Sequence, residues 1–208
     1  MKKTIAILLS LGAVGAAAFL LRPGRGESQP AGGGTTTITV GIYAPTVTFA
    51  GSQARATYVQ DLGRAIEQAL GAGYKVDTKV YSSYGQAKGA DFAIIEAQCV
   101  AGAGTVLANA EIGGGTSRRW ALFAGGGGDL NSLRGKRVAY VKTGCGDNDF
   151  VDNAMLESEG GAGFWGGRVG APDVSGAVSA VSNHSADAVF APIGQQKNLT
   201  KIVDTIAV

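Results

Sequence analysis

Short β-branched runs alternate with helix-period segments along most of the chain, and that alternation narrows the fold more than any other feature. Ile38–Tyr43 precedes a segment from Ser52 to about Leu70 in which Val59, Leu62, Ile66, Ala69 and Leu70 recur at helical spacing. Arg55, Asp61, Arg64 and Glu67 take the other side, with Ser52 as the expected cap and Gly71 and Gly73 as the stop. Tyr74–Tyr81 sets Val76, Thr78 and Val80 against Lys75, Asp77 and Lys79, the pattern of a half-buried strand. Ser82–Gly85 reads as a turn, Asp91–Ile95 as a buried strand and Thr105–Ile112 as a short helix. Parallel strands need a crossover connection, most simply a helix. The order β-α-β-(short α)-β-α therefore predicts a mostly parallel sheet with helices on both faces.

The second half repeats the pattern. Trp120–Ala124 and Val138–Val141 read as strands, and a helix is expected from about Asn148 to Glu159 with Val151 and Met155 on one side. Gly160–Gly167 breaks it, and a further helix around Val174–Val181 has Asp173 as its cap. Ala186–Ala191 is the next strand, and Leu199–Val208 holds one more. Two α/β lobes of unequal size are expected, over 37–117 and 118–208, meeting near Gly113–Arg119. Of the 34 glycines many fall in clusters, at 32–34, 113–115, 125–128 and 160–167, which read as loops between these elements.

The first residues obey a different logic. Met1-Lys2-Lys3 leads into Ile5–Leu21, a run without a charge, and Arg22-Pro23-Gly24-Arg25-Gly26 ends it. This is the pattern of an export signal, expected as an apolar helix. Its fate stays open between two readings over 1–21. Ala16–Ala18 offers small residues for cleavage, but Phe19–Leu21 prolong the run toward the length of a membrane anchor. With Lys2 and Lys3 inside, the body faces outward, so the expected location is the periplasm or the outer face of the cytoplasmic membrane. Residues 22–36 read as a flexible linker.

Composition closes several routes. Charged residues make up only 16% and the net charge is +2, so there is no basic stripe for nucleic acid. One histidine and two distant cysteines do not make a zinc set, and no Gly-rich phosphate loop of the dinucleotide or Walker type occurs, so neither metal nor cofactor is expected.

The turn Lys142-Thr-Gly-Cys-Gly-Asp-Asn-Asp149 carries the chemistry. A strand that empties into a glycine turn at a helix start leaves backbone N–H groups free and aimed outward. Thr143, Cys145 and Asn148 are its candidate ligand residues, while Asp147 or Asp149 serves equally well as a helix cap. Ligands of open parallel sheets sit beyond the carboxyl ends of strands, which adds Thr46 and Thr48 after the first strand and Ser82, Ser83 and Tyr84 after the second. Glu96 and Gln98 follow the third, as cleft groups or as hinge surface. A helix start also favours a thiolate at Cys145, but its one possible base, His184, lies in the polar loop Ser182–Ser185, so catalysis is not expected. Cys99 and Cys145 can instead pair in an exported protein, which would pin a cleft shut.

Three stretches resemble the exported substrate-binding proteins of ABC importers, in the two-lobed class that includes phosphate- and phosphonate-binding members. They are Ile38–Leu70 with Tyr58-Val-Gln-Asp-Leu, Gly89-Ala-Asp-Phe-Ala-Ile-Ile-Glu-Ala97, and Asp129-Leu-Asn-Ser-Leu-Arg-Gly-Lys-Arg-Val-Ala-Tyr with Thr143-Gly-Cys-Gly and Ala186-Asp-Ala-Val-Phe. The resemblance implies a non-catalytic protein that captures a small polar solute between two lobes and delivers it to a membrane permease. In that class the turn matching Gly144–Asp149 is usually rich in Ser and Thr and binds an anion. The acidic turn here argues instead for a cationic or neutral solute. The class also returns to its first lobe after the second, and this sequence ends about where that return would begin. An abbreviated first lobe or a truncated family member is therefore expected. The alternative is a membrane-tethered, degenerate interaction module without a transported ligand.

Overall fold

The structure, a computed structural model, describes residues 5–6, 34–109, 111, 117–161, 163–195 and 198–206. Ile5–Ala6 (β1), Thr36–Tyr43 (β2), Tyr74–Val80 (β3), Phe92–Ile95 (β4) and Thr105–Val106 (β5) form a first sheet in the order β3-β2-β4-β1-β5, parallel at every junction. Trp120–Ala124 (β6), Arg137–Val141 (β7), Gly167–Ala171 (β8), Ala188–Pro192 (β9) and Thr200–Asp204 (β10) form a second, in the order β10-β6-β9-β7-β8. There β6 runs antiparallel to both neighbours and the rest is parallel. The helices are Ser52–Leu70 (α1), Tyr84–Ala87 (α2), Asp147–Asp149 (α3) and Val174–Ser182 (α4). The architecture is two-lobed α/β.

Helix α1 lays Val59, Leu62 and Ile66 onto Val40, Ile42 and Ala44 of the first sheet. Gly63 lets it come close: a Cβ there would stand 2.3 Å from Thr78 Cγ2 on β3. The second lobe packs α4, whose buried side is Val174, Ala177, Val178 and Val181, against β7, β8 and β9, with Phe164, Trp165 and Phe190 stacked edge to face at 4.8 and 5.8 Å. A third, smaller cluster of Tyr43, Ala87 and Cys99, with Tyr81, Tyr84, Ile95 and Cys145 against it, lies between the lobes.

Several local expectations are corrected. Gly51, not Ser52, precedes α1, and no side chain caps it. Thr105–Val106 is an edge strand rather than the start of a helix. The helix expected over 148–159 is only the three residues of α3 and a π-turn over Phe150–Ala154; Glu157 and Ser158, with φ of 49° and 68°, end it. Strand β8 emerges from the glycine-rich stretch that reads as a breaker. Gly166 is needed there because a Cβ would stand 2.1 Å from the Gly135 carbonyl oxygen. That close approach allows Gly135 N–H to reach Phe164 O and Gly166 N–H to reach Lys136 O, each at 2.8 Å. Of the apolar leader, only Ile5–Ala6 is described, as a two-residue strand; the helix expected over 5–21 and the linker otherwise lie outside the described residues. Among the described residues no helix is long and apolar enough to cross a membrane.

Candidate functional site

The loops that leave β2, β3 and β4 face those that leave β7 and β8, as the carboxyl ends of parallel strands must when two such sheets oppose each other. Across this seam Cys99, in the 3₁₀ turn after β4, is disulfide-bonded to Cys145, with Cα atoms 5.2 Å apart. Three hydrogen bonds flank the bond. Tyr43 Oη donates to the Thr143 carbonyl at 2.8 Å, and Gln98 Nε2 donates to the Cys145 carbonyl at 2.9 Å and to Asp147 Oδ1 at 3.1 Å. Arg118, in the segment that leads into β6, donates to the Thr46 carbonyl at 3.0 Å. The two lobes are thus closed on each other by their own atoms.

Two spaces remain. One is a cavity of about 30 Å³ between Thr46, Glu96 and Gln98 of the first lobe and a mostly apolar wall of Trp120, Tyr140, Phe150, Met155 and Phe190 from the second. It has room for a water molecule and little more. The other is an open groove of about 670 Å³, the size of a small-solute pocket. Tyr43, Pro45 and Ser82–Gly85 form one wall, and Lys142–Gly144 with Gly170–Pro172 the other. Lys142 is the only charged side chain in that lining. The Tyr84 hydroxyl is buried and has no hydrogen-bond partner among the described residues.

The carboxylates of the seam are turned inward. Asp147 accepts from Thr143 Oγ1 at 2.6 Å, Thr143 N at 3.0 Å and Gly144 N at 2.9 Å, besides Gln98. Burial pushes its carboxyl up, but these four bonds outweigh burial and hold it below the usual aspartate range. Glu96 is 7% exposed and accepts from Thr46 N and Thr46 Oγ1, both at 2.7 Å. Here burial dominates and raises the carboxyl; the Thr46 bonds and the Arg118 and Arg55 cations only temper the rise. Burial, then the charges of Asp147 and Glu96, raises the Tyr43 phenol.

Of the residues singled out by sequence, Ser82, Ser83, Tyr84 and Thr143 come together in the groove, and Thr46 and Glu96 meet at the cavity. Thr48 and Asn148 line neither space. Cys145 has its sulfur in the disulfide, so the thiolate nucleophile considered for it has no free thiol. The expectation of a cationic or neutral solute rests on the two carboxylates of the turn; of these, Asp147 faces its own loop and Gln98. Sequence reasoning missed Tyr43 and Lys142. Both sit at the ends of strands, β2 and β7, where the switch-point rule could have placed them.

No family model matches the chain, and no curated protein matches it. Solved structures do. A binding-protein component of an ABC phosphonate transporter from Pseudomonas aeruginosa superposes with a TM-score of 0.51 at 10% identity, over 84% of this chain and 66% of that one. A histidine kinase sensor domain with similarity to periplasmic binding proteins gives 0.45 at 18% identity, over 83% and 80%. Holo ArgBP from T. maritima gives 0.46 at 17% identity, over 83% and 82%. The chain spans just under two-thirds of the phosphonate-transporter component, and shares with it a two-lobed α/β fold.

Proposed function

We propose that this protein is an exported, non-enzymatic solute-binding module that holds a small polar solute between its lobes, 37–117 and 118–208, and delivers it to the membrane permease of an ABC-type importer. The groove between Ser82–Tyr84 and Lys142–Thr143 is the observation that carries the reading. It has solute dimensions, with serine residues on one wall and one lysine on the other. With the Asp147 carboxylate turned away and Lys142 facing in, a solute bearing a carboxylate, phosphonate or phosphate group suits its charge better than an amine. Residues 1–21 act as the export signal or as the tether.

A thermal-shift panel tests this, since a ligand that binds only the native state raises the apparent stability. Anionic solutes should raise the midpoint, amines should not, and Lys142→Ala should abolish the gain. A gain with amines alone, or one that survives Lys142→Ala, sinks the assignment. A second reading, an interaction module without a transported solute, is favoured by one observation: the donors of the ligand loops at Thr46 and Thr143–Gly144 are already satisfied by Glu96 and Asp147 of the same chain. A well-folded protein that responds to no solute supports that reading.

A further inference from the structure

We propose that the Cys99–Cys145 bond is a redox latch on the groove: oxidised, it holds the lobes together; reduced, it lets them part. The proposal rests on the solute-binding reading only for its consequence, control of access. The lobe motion itself is measurable with no solute present.

Position separates a latch from a staple. The bond does not lie inside either core. Val40, Ile42, Val59 and Leu62 pack the first lobe, Phe123, Phe164 and Phe190 the second, and the two groups form separate clusters. The disulfide joins residues 46 apart in sequence, one on each side of the seam. Its companions are the hydrogen bonds of Tyr43 and Gln98, groups that water can satisfy equally well once the lobes separate. Cutting the bond therefore removes the disulfide cross-link of the seam and leaves the second sheet, with β6 and β9, paired.

The chemistry is directional. Cys99 is 1% exposed, whereas Cys145 is half-buried. A thiolate of a dithiol reductant reaches Cys145 Sγ first. The new mixed disulfide forms there, the Cys99–Cys145 bond breaks, and Cys99 leaves as a thiolate. The second thiol of the reductant then attacks the mixed disulfide and releases Cys145. The protein gains two electrons and two protons as two thiols, and the reductant ends as its own disulfide.

Hydrogen exchange on the full chain, with and without a small dithiol, tests the proposal, and Cys99→Ser/Cys145→Ser serves as the permanently unlatched form. On reduction, exchange at the amides of Cys99, Thr143, Gly144 and Cys145 should quicken at least about tenfold, while the amides of β6 and β9 keep their protection. Reoxidation should restore the slow exchange, and the double variant should match the reduced protein. Unchanged exchange at the seam overturns the latch. So does joint loss of protection in β6 and β9, because the bond is then a staple of the fold. A failed solute screen leaves this result standing. Conversely, equal solute affinity in oxidised and reduced protein would dismiss control of access and keep the groove.

Discussion

The two lobes use one sheet plan at different depths. Read from β3, the first sheet runs β3-β2-β4-β1-β5; read from β8, the second runs β8-β7-β9-β6-β10. In the second, the fourth place is held by β6, five buried residues hydrogen-bonded on both sides. In the first it is held by the two residues Ile5–Ala6. The cores follow suit. Among the described residues the second lobe buries Trp120, Phe123, Phe164, Trp165 and Phe190, whereas the first buries mostly aliphatic residues beside Tyr43 and leaves Tyr74 41% and Val80 45% exposed on β3. Burying a large side chain stabilises by about 1.5–3 kcal/mol, so five buried aromatics against one set the second lobe apart. One plan can thus yield a lobe that stands by its own core and another that relies on its neighbour through the Tyr43–Ala87–Cys99 cluster and the disulfide.

The largest test of this asymmetry is Phe190→Ala. It removes a ring that meets Trp165 edge to face and leaves a cavity in a closed-packed core, at a cost of about 3–5 kcal/mol. Urea unfolding followed by exchange protection in both sheets should show the whole transition shifted. If the first lobe kept its midpoint while the second melted, the proposed dependence would be reversed. Next in size is loss of the disulfide, at most about 4 kcal/mol for a separation of 46 residues. Its cost should fall on β2 and β3 rather than on β6 and β9, as read by exchange protection. Equal losses in both sheets would erase the distinction between the lobes.

Much of the fold was legible before any coordinates. The buried positions of α1, Val59, Leu62 and Ile66, lie where helical periodicity put them, and Asp173 caps α4 by accepting from Gly176 N at 2.7 Å. These are local relations, set within a turn or two of chain. What stayed hidden is non-local. Strand β8 depends on Gly166 meeting the Gly135 carbonyl, and glycine by itself signals only a loop. The site divides the same way. That Ser82, Ser83, Tyr84 and Thr143 stand at strand ends could be read from the sequence. That Tyr43 donates to Thr143, a hundred residues on, and that Gln98 captures Asp147, could not. The residue types of a cleft are local information; their pairing across it is tertiary.

A smaller effect concerns how closely α1 sits on the weaker sheet. Gly63→Ala drives a methyl into Thr78 Cγ2 and should cost about 1–3 kcal/mol, measured as a lower urea midpoint. Gly126→Ala, in the turn after β6, meets nothing within 4 Å and should be neutral or stabilising by about 0.4–1 kcal/mol. If both cost the same, close approach is not what the glycine of α1 supplies.

The smallest expected effect is electrostatic, and its sign separates the two carboxylates of the seam. Hydrogen bonds hold Asp147 below its ordinary value, so its contribution is present above the unfolded range and is lost as pH falls through the folded value. Burial raises Glu96, so its contribution is present below the unfolded range and is lost as pH rises through the folded value. The two slopes have opposite sign and lie in different windows, Asp147 below the ordinary carboxylate range and Glu96 above it, so together they should give a stability maximum at about pH 4. Single variants uncover each slope. In Glu96→Gln the urea midpoint should fall as the solution is made acidic, because Asp147 loses its bonds from Thr143, Gly144 and Gln98, and Asp187 its bond from Arg137 N. In Asp147→Asn it should fall as pH rises, because only the buried Glu96 remains to be charged. Slopes of the same sign in both variants would mean that the inward carboxylates do not govern how the lobes are held.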